Sequence, residues 1–411
     1  MKNNLFKKVV LKSFGVLLCI AFVTLIVNTD FSVFSLTNGS YISYEQLNEL
    51  NENARFGKFI SASLADEGID VGNGLKKSKL KFKLFGLFTV KEVGVSVSDG
   101  KEVYVGGIPL GFALNTKGVI VIGENSVNTK DGSIIPEKSE EVLAGDILTK
   151  INNSEITNVE VIREELEKSA GNKVKIKAMR KDKEYEFVLK PALDVESGKY
   201  KLGLWVRDDA SGIGTLTYVD KQSKAYGALG HAITDFETGA VVPVQDGKIY
   251  NCSLIGINKG RKGKPGELRC LFLQGKNSKG DVQMNTSSGV FGKVESTQGI
   301  VDENLVASIG GRMSVKPGPA KIVSSVSGVR EEYEIEIIKA NYQNKSSDKS
   351  LVFRVKDKRL LNLTGGILQG MSGSPILQDG KLIGAVTHVF LNDPTKGYGI
   401  YVDWMLENKV V

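Results

Sequence analysis

The second half of the chain places the strongest limit on the fold. From Lys201 to Val411 the sequence consists of short β-forming runs separated by glycine turns, and it has little helical periodicity. The whole chain of 411 residues contains 46 glycines and only 9 prolines, which favours a turn-rich β protein. We therefore predict a barrel or sandwich here and a mainly β protein overall.

Length, charge and cysteine content limit the function classes. The chain is long enough for two separate cores. Its formal net charge of +7 comes from 54 basic and 47 acidic residues spread along the sequence, so nucleic-acid binding is not indicated. With two histidines and no Cys/His cluster at ligand spacing, we expect no metal and no cofactor. Cys252 and Cys270 flank a turn-rich segment, and the sequence leaves open whether they form a disulfide.

The N-terminus has the pattern of a membrane anchor. Lysines precede an apolar core, and no charged residue occurs from Ser13 to Asn28. The segment Val9–Val27 has about the 20 residues that a helix needs to cross a bilayer, and no A-x-A-like cleavage site follows it. We predict a cytoplasmic tip and signal anchor at residues 1–28, with the rest outside the cytoplasm. Residues 29–95 would be a stalk, in which Leu80–Val90 alternates like one half-buried strand.

Residues 96–195 combine short strands with one clear helix. Val159, Ile162 and Leu166 lie on a single helical stripe. Before this helix, Gly145-Asp146 and the apolar residues after it match a G-D-x-I-x-x-[IV]-N stretch. The block resembles a PDZ domain of the bacterial protease-associated type, which implies an α/β peptide-binding module.

A short loop near the start of this block resembles the G-L-G-F carboxylate loop of PDZ domains. It consists of Pro109, Leu110, Gly111 and Phe112. In such a loop, free backbone N–H groups bind a peptide's terminal carboxylate while the peptide adds a strand to the sheet edge. The resemblance implies that these four residues bind peptides. The alternative is an ordinary turn into a strand.

The strongest motif of residues 196–411 is Gly370-Met371-Ser372-Gly373-Ser374-Pro375. It resembles the G-x-S-G-G-P nucleophile loop of trypsin-like serine proteases, with Ser374 where that class usually has glycine. The resemblance implies that Ser372 is the nucleophile and that the amides of Gly370 and Ser372 form an oxyanion hole. A Gly/Ser-rich turn between strands is the alternative.

His231 is the candidate base. It precedes Ser372 in the chain, as in the His, Asp, Ser order of the trypsin-like class, and imidazole is suited to this role near neutral pH. The other histidine, His388, lies in a strand-like setting that favours a wall of the substrate pocket. An orienting carboxylate should accompany the base, and spacing leaves Asp357 and Asp235 among the candidates.

Several blocks together resemble the sporulation stage-IV protein B peptidases of endospore-forming bacteria. They are VGGIPLGFALNTKGVIVIG, GHAITD, KGKPGEL and GMSGSPILQDGKLIGAVTHVFLNDPTKGYGIY. The resemblance implies a triad of His231, Asp357 and Ser372 and a trypsin-like double β-barrel at residues 196–411. It also implies a forespore-membrane serine endopeptidase facing the intermembrane space. Such an enzyme cleaves itself and a membrane regulator of a sigma-factor-processing protease.

The expected protein is therefore a membrane-anchored signalling peptidase of sporulation with a PDZ module. Its partners would be protein substrates, including itself, and the membrane. The alternative is a non-catalytic, membrane-anchored PDZ scaffold that only binds peptides.

Overall fold

A computed structural model describes most of the chain beyond residue 37. The described residues are 38, 40–44, 47–48, 60–66, 68–70, 75–98, 101–136, 141–181, 183–275, 277–341, 343, 345–408 and 410. They are mainly β, as predicted. Within them, no helix combines the length and apolar character needed to cross a membrane. The predicted anchor at residues 1–28 lies outside the described residues.

The chain divides into two compact units. The first is drawn from Met1–Lys101, Gly310–Val315 and Tyr342–Lys345. Its strands are Ser40–Ser43, Ile60–Leu64, Ile69–Asp70, Leu75–Leu84 and Phe88–Ser98, and it includes a 3-10 turn at Arg312–Ser314.

Alternation along these strands gives the first unit a core of its own. Leu80 and Phe82 are fully buried, while Lys79 and Lys81, which alternate with them, pair with Glu92 outside the core. The segment predicted to be a stalk thus contains a folded sheet. The single strand expected at Leu80–Val90 is a hairpin, because the chain turns at Phe85 and Gly86.

In the second unit, one closed circuit of paired strands surrounds an apolar core. In order around the circuit, its strands are Pro109–Glu124, Leu204–Asp220, Ala225–Ala228, Gly289–Lys293, Gly280–Asp281 and Val244–Asn251. Leu110, Phe112 and Leu216 are among the side chains that fill it. We refer to this circuit as the first barrel.

A second closed circuit follows later in the chain. Its strands are Gly318–Ser324, Glu331–Ala340, Leu351–Val355, Lys396–Tyr401, Lys381–Val389 and Pro375–Gln378. Ile322, Ile335 and Phe353 are buried along its strands. The two circuits form a double barrel, as predicted, but the first also uses Pro109–Glu124, which lies outside the predicted range of 196–411.

A separate apolar core surrounds the predicted helix, which spans Val159–Ser169. Asn158 caps it by accepting a hydrogen bond from the Val161 N–H at 3.1 Å. The core also takes in strands at Ile147–Ile151, Ser154–Glu155, Val174–Arg180 and Lys183–Leu189. It extends from Val119 to Val206, beyond the predicted end at residue 195.

The remaining elements connect or extend these cores. The strands are Glu102–Val105, Val127–Thr129, Gly132–Ile134, Ala192–Leu193, Tyr200–Lys201, Ser253–Asn258, Gly266–Leu271, Met284–Thr286, Val306–Ile309 and Leu368–Gln369. Short helices occupy Lys358–Thr364 and Val402–Leu406. Cys252 and Cys270 are both free thiols.

Candidate active site

The Ser372 loop is clamped between the two barrels. The N–H of Gly373 donates to the Val386 carbonyl at 2.7 Å. From the first barrel, the Thr215 N–H donates to the Ser372 carbonyl at 2.7 Å, and its hydroxyl donates to the Gly370 carbonyl at 2.8 Å. A Cβ on Gly373 would lie 2.0 Å from the Thr215 carbonyl oxygen, so only glycine fits.

The same loop leaves two backbone donors unused. Gly370 has a φ of +94°, a conformation that favours glycine. The amide N–H groups of Gly370 and Ser372 donate to no other residue in the described part of the chain. Two such donors beside a serine can bind the oxyanion formed when its hydroxyl attacks a carbonyl.

His231 approaches this loop from a tight turn after the Ala225–Ala228 strand. Gly230 has a φ of +72°, and a Cβ there would come within 3.0 Å of Thr387 and Ile400 side chains. This close approach seats His231 against the strand that carries Thr387.

The imidazole of His231 is set up to accept a proton. Its Nδ1 lies 2.9 Å from the Ala232 carbonyl oxygen. Because a carbonyl can only accept, Nδ1 carries the hydrogen and Nε2 is the basic nitrogen. Burial lowers the pKa of His231, although the Ala232 carbonyl and Asp348 act to raise it. A neutral imidazole near physiological pH follows, as a general base requires.

Ser372 and His231 share one cavity of about 710 Å³ between the barrels. The Ser372 hydroxyl here donates to the Thr387 carbonyl at 2.8 Å rather than to His231. Other residues lining the cavity include Ile213, Leu229, Leu368, Gly370, His388, Val389, Phe390 and Tyr398.

The predicted carboxylate loop, Pro109–Phe112, does not have the geometry for binding peptides. Leu110 and Phe112 are fully buried in the first barrel. Their strand pairs on one side with the segment that includes Gly214 and on the other with the segment that includes Tyr250. A peptide strand needs a free edge, so this prediction is wrong.

A groove with the required geometry lies elsewhere in the helix-containing module. It has a volume of about 600 Å³ and runs between the Val159–Ser169 helix and the segment from Tyr200 to Asp208. Among the described residues, Leu204 and Trp205 pair with the Pro109–Glu124 strand on one side and with no strand on the other. Their other edge faces the helix across the groove. This groove was not predicted from the sequence, although Leu202-Gly203-Leu204 carries the same leucine and glycine pattern.

Comparison with known proteins decides the family. A family profile described as SpoIVB peptidase S55 matches residues 198–406, about half of the chain. The chain belongs to the SpoIVB peptidase S55 family. It is therefore a serine peptidase that acts on proteins. No curated protein sequence matches the chain.

Two solved structures show partial similarity. The PDZ domain of an SdrC-like protein from Listeria monocytogenes is 26% identical and covers 22% of this chain and 90% of its own, with a TM-score of 0.18. The active form of the Rv3671c protease from M. tuberculosis is 11% identical and covers 49% of this chain and 77% of its own, with a TM-score of 0.29.

The predicted third member of the triad, Asp357, lines neither of the described cavities that contain His231. It caps the Lys358–Thr364 helix, and its carboxylate accepts from the Arg359 N–H and guanidinium, at 2.8 Å each. It also accepts from the Glu334 N–H at 3.4 Å. The hydrogen bonds from Arg359 lower the pKa of Asp357 against the effect of burial. In this SpoIVB-family structure both carboxylate oxygens stabilise the fold instead of orienting His231.

The carboxylate of Asp235, the other candidate, also has partners within the fold. Its buried carboxylate accepts from the Thr238 N–H and hydroxyl at 2.9 Å each and pairs with Arg207 at 2.9 Å. Burial acts to raise the pKa of Asp235, but these bonds lower it.

A different pair lies next to His231. The ring of His388 is centred 5.1 Å from that of His231, and its Nε2 is 3.7 Å from the Asp348 carboxylate. His388 also lines the cavity, as predicted for a pocket wall. Asp348 was not predicted to lie here, because nothing in its Ser/Lys-rich surroundings resembles a motif.

Proposed function

We propose that this SpoIVB-family peptidase is a membrane-anchored endopeptidase that cleaves itself and a membrane-associated regulatory protein. The observation that carries the catalytic part is the shared cavity, where Ser372 and His231 lie beside the unused amides of the Ser372 loop. The lysine-flanked apolar run at the N-terminus and the family resemblance support signalling in sporulation, from the forespore membrane into the intermembrane space.

The site supports acyl transfer to serine. Ser372 Oγ attacks the substrate carbonyl, and His231 Nε2 takes its proton. The N–H groups of Gly370 and Ser372 then bind the oxyanion. Collapse of the intermediate breaks the C–N bond, and His231 returns the proton to the leaving amine. Water activated by the same imidazole hydrolyses the acyl-enzyme.

The groove beside the Val159–Ser169 helix has a separate role in this proposal. The free edge at Leu204 and Trp205 can pair with an extended peptide, and backbone amides perform no proton transfer. We assign to it the delivery of protein segments to the catalytic cavity, which raises their local concentration near Ser372.

The decisive test is Ser372→Ala in the full chain. We expect self-cleavage and cleavage of a second, inactive copy to fall at least about 10⁴-fold, since the covalent step is lost. The melting temperature should stay unchanged, because one half-buried hydroxyl contributes little stability.

Ser296→Ala serves as the control, because it removes a serine hydroxyl from an exposed loop. It should retain full activity. Undiminished cleavage by the Ser372→Ala chain would contradict the catalytic mechanism and favour the non-catalytic scaffold.

A further inference from the structure

The hairpin of the first unit ends in a turn that the fold only partly explains. The Leu87 N–H donates to the Leu84 carbonyl at 3.1 Å and closes this turn. Its two central residues, Phe85 and Gly86, both have positive φ. A hairpin turn of this kind favours asparagine followed by glycine. The backbone therefore accounts for Gly86, but it does not call for a bulky aromatic side chain at Phe85.

Four apolar side chains at this turn are exposed. Phe85 is 59% exposed, Leu87 78%, Phe88 67% and Val90 48%. The core of the first unit lies further along the same strands, around Phe82. Single apolar residues are common on protein surfaces, but several of them clustered at one turn indicate a binding surface. We refer to these four exposed residues as the apolar tip.

The strands behind the apolar tip are strongly basic. The segment from Leu75 to Glu92 contains six lysines and a single acidic residue. The lysines are Lys76, Lys77, Lys79, Lys81, Lys83 and Lys91. Glu92 lies 3.0 Å from Lys79 and 3.9 Å from Lys81. One acidic charge is thus shared between two lysines, and the segment keeps an excess of positive charge that favours an anionic partner.

The distance between the apolar tip and the lysines matches a membrane interface. Lys83 precedes Phe85 by two residues, and Lys91 follows Phe88 by three. At about 3.4 Å per residue along a strand, the lysines lie about 7–10 Å behind the apolar side chains. Segments that bind at an interface bury their apolar groups about 5–10 Å into the boundary between headgroups and acyl chains. Lysine side chains at that depth can extend to the anionic headgroups.

Protein partners fit this surface less well. The cores of protein–protein interfaces are enriched in aromatic residues but depleted of lysine. Here the aromatic side chains of Phe85 and Phe88 are followed on both strands by lysines. The combination therefore favours an anionic lipid surface over a protein.

The chain is also short enough to keep this hairpin near a bilayer. The strand Ser40–Ser43 begins twelve residues after residue 28, where the predicted anchor ends. Twelve residues span at most roughly 40 Å. Ser40 pairs with Val95, which lies seven residues, or about 24 Å, from Phe88 along one strand. A membrane that holds the anchor is thus within reach of the apolar tip.

We infer that the apolar tip inserts into the interface of an anionic bilayer, with the lysines behind it contacting lipid phosphates. The inference rests on the membrane anchoring in the proposed function, and it does not depend on the peptidase mechanism. Apolar insertion and electrostatic attraction act together here, as in other segments that bind at a membrane surface. The tip gives the first unit a second membrane contact in addition to the anchor.

The test measures how deeply the tip enters the lipid. It uses the full chain carrying Ser372→Ala, which prevents self-cleavage, reconstituted into phosphatidylglycerol vesicles with brominated acyl chains. A tryptophan is placed at the tip as Leu87→Trp. Trp205 and Trp404 contribute the same background emission to every chain compared.

Ile69→Trp is the matched control. Ile69 is 74% exposed and belongs to the same unit. It pairs with Lys77, which lies seven residues, or about 24 Å, from Leu84 along the same strand. We expect brominated lipid to quench the added tryptophan at least about twofold more in Leu87→Trp than in Ile69→Trp, relative to unbrominated vesicles.

The lysines are tested in the Leu87→Trp chain. Replacing phosphatidylglycerol by phosphatidylcholine should reduce the quenching at least about twofold, since the lysines lose their anionic partner. The double substitution Lys81→Gln and Lys83→Gln should reduce it in the same way. Lys76→Gln with Lys77→Gln makes the same charge change at the far end of the strand, and it should leave the quenching nearly unchanged.

Each failure has its own signature. Chains that float with the vesicles but show equal quenching at the two tryptophan positions would overturn the lipid assignment and indicate a protein partner for the tip. Quenching that is equally strong in phosphatidylcholine would overturn the role of the lysines. Chains that do not float with the vesicles would overturn the proposed anchor and this inference together.

Discussion

At the scale of single residues, hydrogen-bond partners distinguish the proposed catalytic residues from similar residues that the fold already uses. Nδ1 of His231 donates its hydrogen to the Ala232 carbonyl, which leaves Nε2 to accept a proton. In the described part of the chain, the amide N–H groups of Gly370 and Ser372 have no protein acceptor. By contrast, both carboxylate oxygens of Asp357 accept hydrogen bonds from Arg359. A residue whose polar atoms are already used in the fold has little capacity left to bind a substrate or to orient a base.

Asp357→Ala should therefore act on stability. Losing the helix cap should cost about 1–2 kcal/mol of unfolding free energy at neutral pH, with more from the lost Arg359 contact. The pKa of Asp357 is lower in the folded state than in the unfolded state. Its contribution to the unfolding free energy is therefore fully present above the ordinary carboxyl pKa, and it is lost as pH falls through the pKa of the folded state.

Denaturant unfolding of parent and Asp357→Ala chains between neutral and acidic pH measures this contribution. The gap between their unfolding free energies should shrink as pH falls. Per folded molecule, the variant should keep kcat within about twofold of the parent at neutral pH. A loss of several orders of magnitude with unchanged stability would return Asp357 to the triad.

At the scale of elements, the Pro109–Glu124 strand explains why the prediction of a carboxylate loop at Pro109–Phe112 was wrong. Its first half lies in the first barrel and its second half in the helix-containing module. A leucine and glycine pattern marks both Leu110-Gly111 and Leu202-Gly203, and only the second has a free edge beside a helix. A Cβ on Gly111 would lie 2.2 Å from the Phe272 ring, so this glycine is required by packing.

Charge reversal on the helix tests the groove. Arg163→Glu places a carboxylate on the groove lining, where it should repel the terminal carboxylate of a peptide. We expect processing of a full-length protein substrate to fall about three- to tenfold, while hydrolysis of a short peptide stays unchanged. Both rates are measured by electrophoresis and by release of a fluorescent product.

Lys168→Glu is the matched control, because it makes the same charge change on the same helix outside the groove lining. It should leave both rates unchanged. Equal losses in the two assays for Arg163→Glu would mean that the groove supports the catalytic cavity itself, and the delivery role would be excluded.

At the scale of the whole second unit, two long strands connect the groove beside the helix to the catalytic cavity. Pro109–Glu124 and Leu204–Asp220 each pass from one core into the other without a linker. Their register is continuous apart from local irregularities, so the groove has a defined position relative to Thr215 and the Ser372 loop. In the proposed delivery role, a peptide bound in the groove would therefore be presented from a fixed direction.

Much of this organisation was determined by the sequence itself. Glycine turns between β-forming runs predicted the mainly β fold, because period-two alternation and turn chemistry are local properties. The helical stripe at Val159, Ile162 and Leu166 was confirmed for the same reason. Ser372 and His231 could be proposed from their motifs, since the tight turns at Gly373 and Gly230 require glycine at fixed positions.

Tertiary structure decided the features that depend on partners distant in the chain. Whether a leucine and glycine pattern lies at a free edge depends on strands such as Val244–Asn251, which follow much later in the sequence. Asp348 lies beside His388 in a turn whose backbone accepts a hydrogen bond from the Thr387 hydroxyl, a contact between segments distant in the chain. Composition and spacing do not predict such pairings, because hydrogen bonds between distant segments depend on how the whole chain packs.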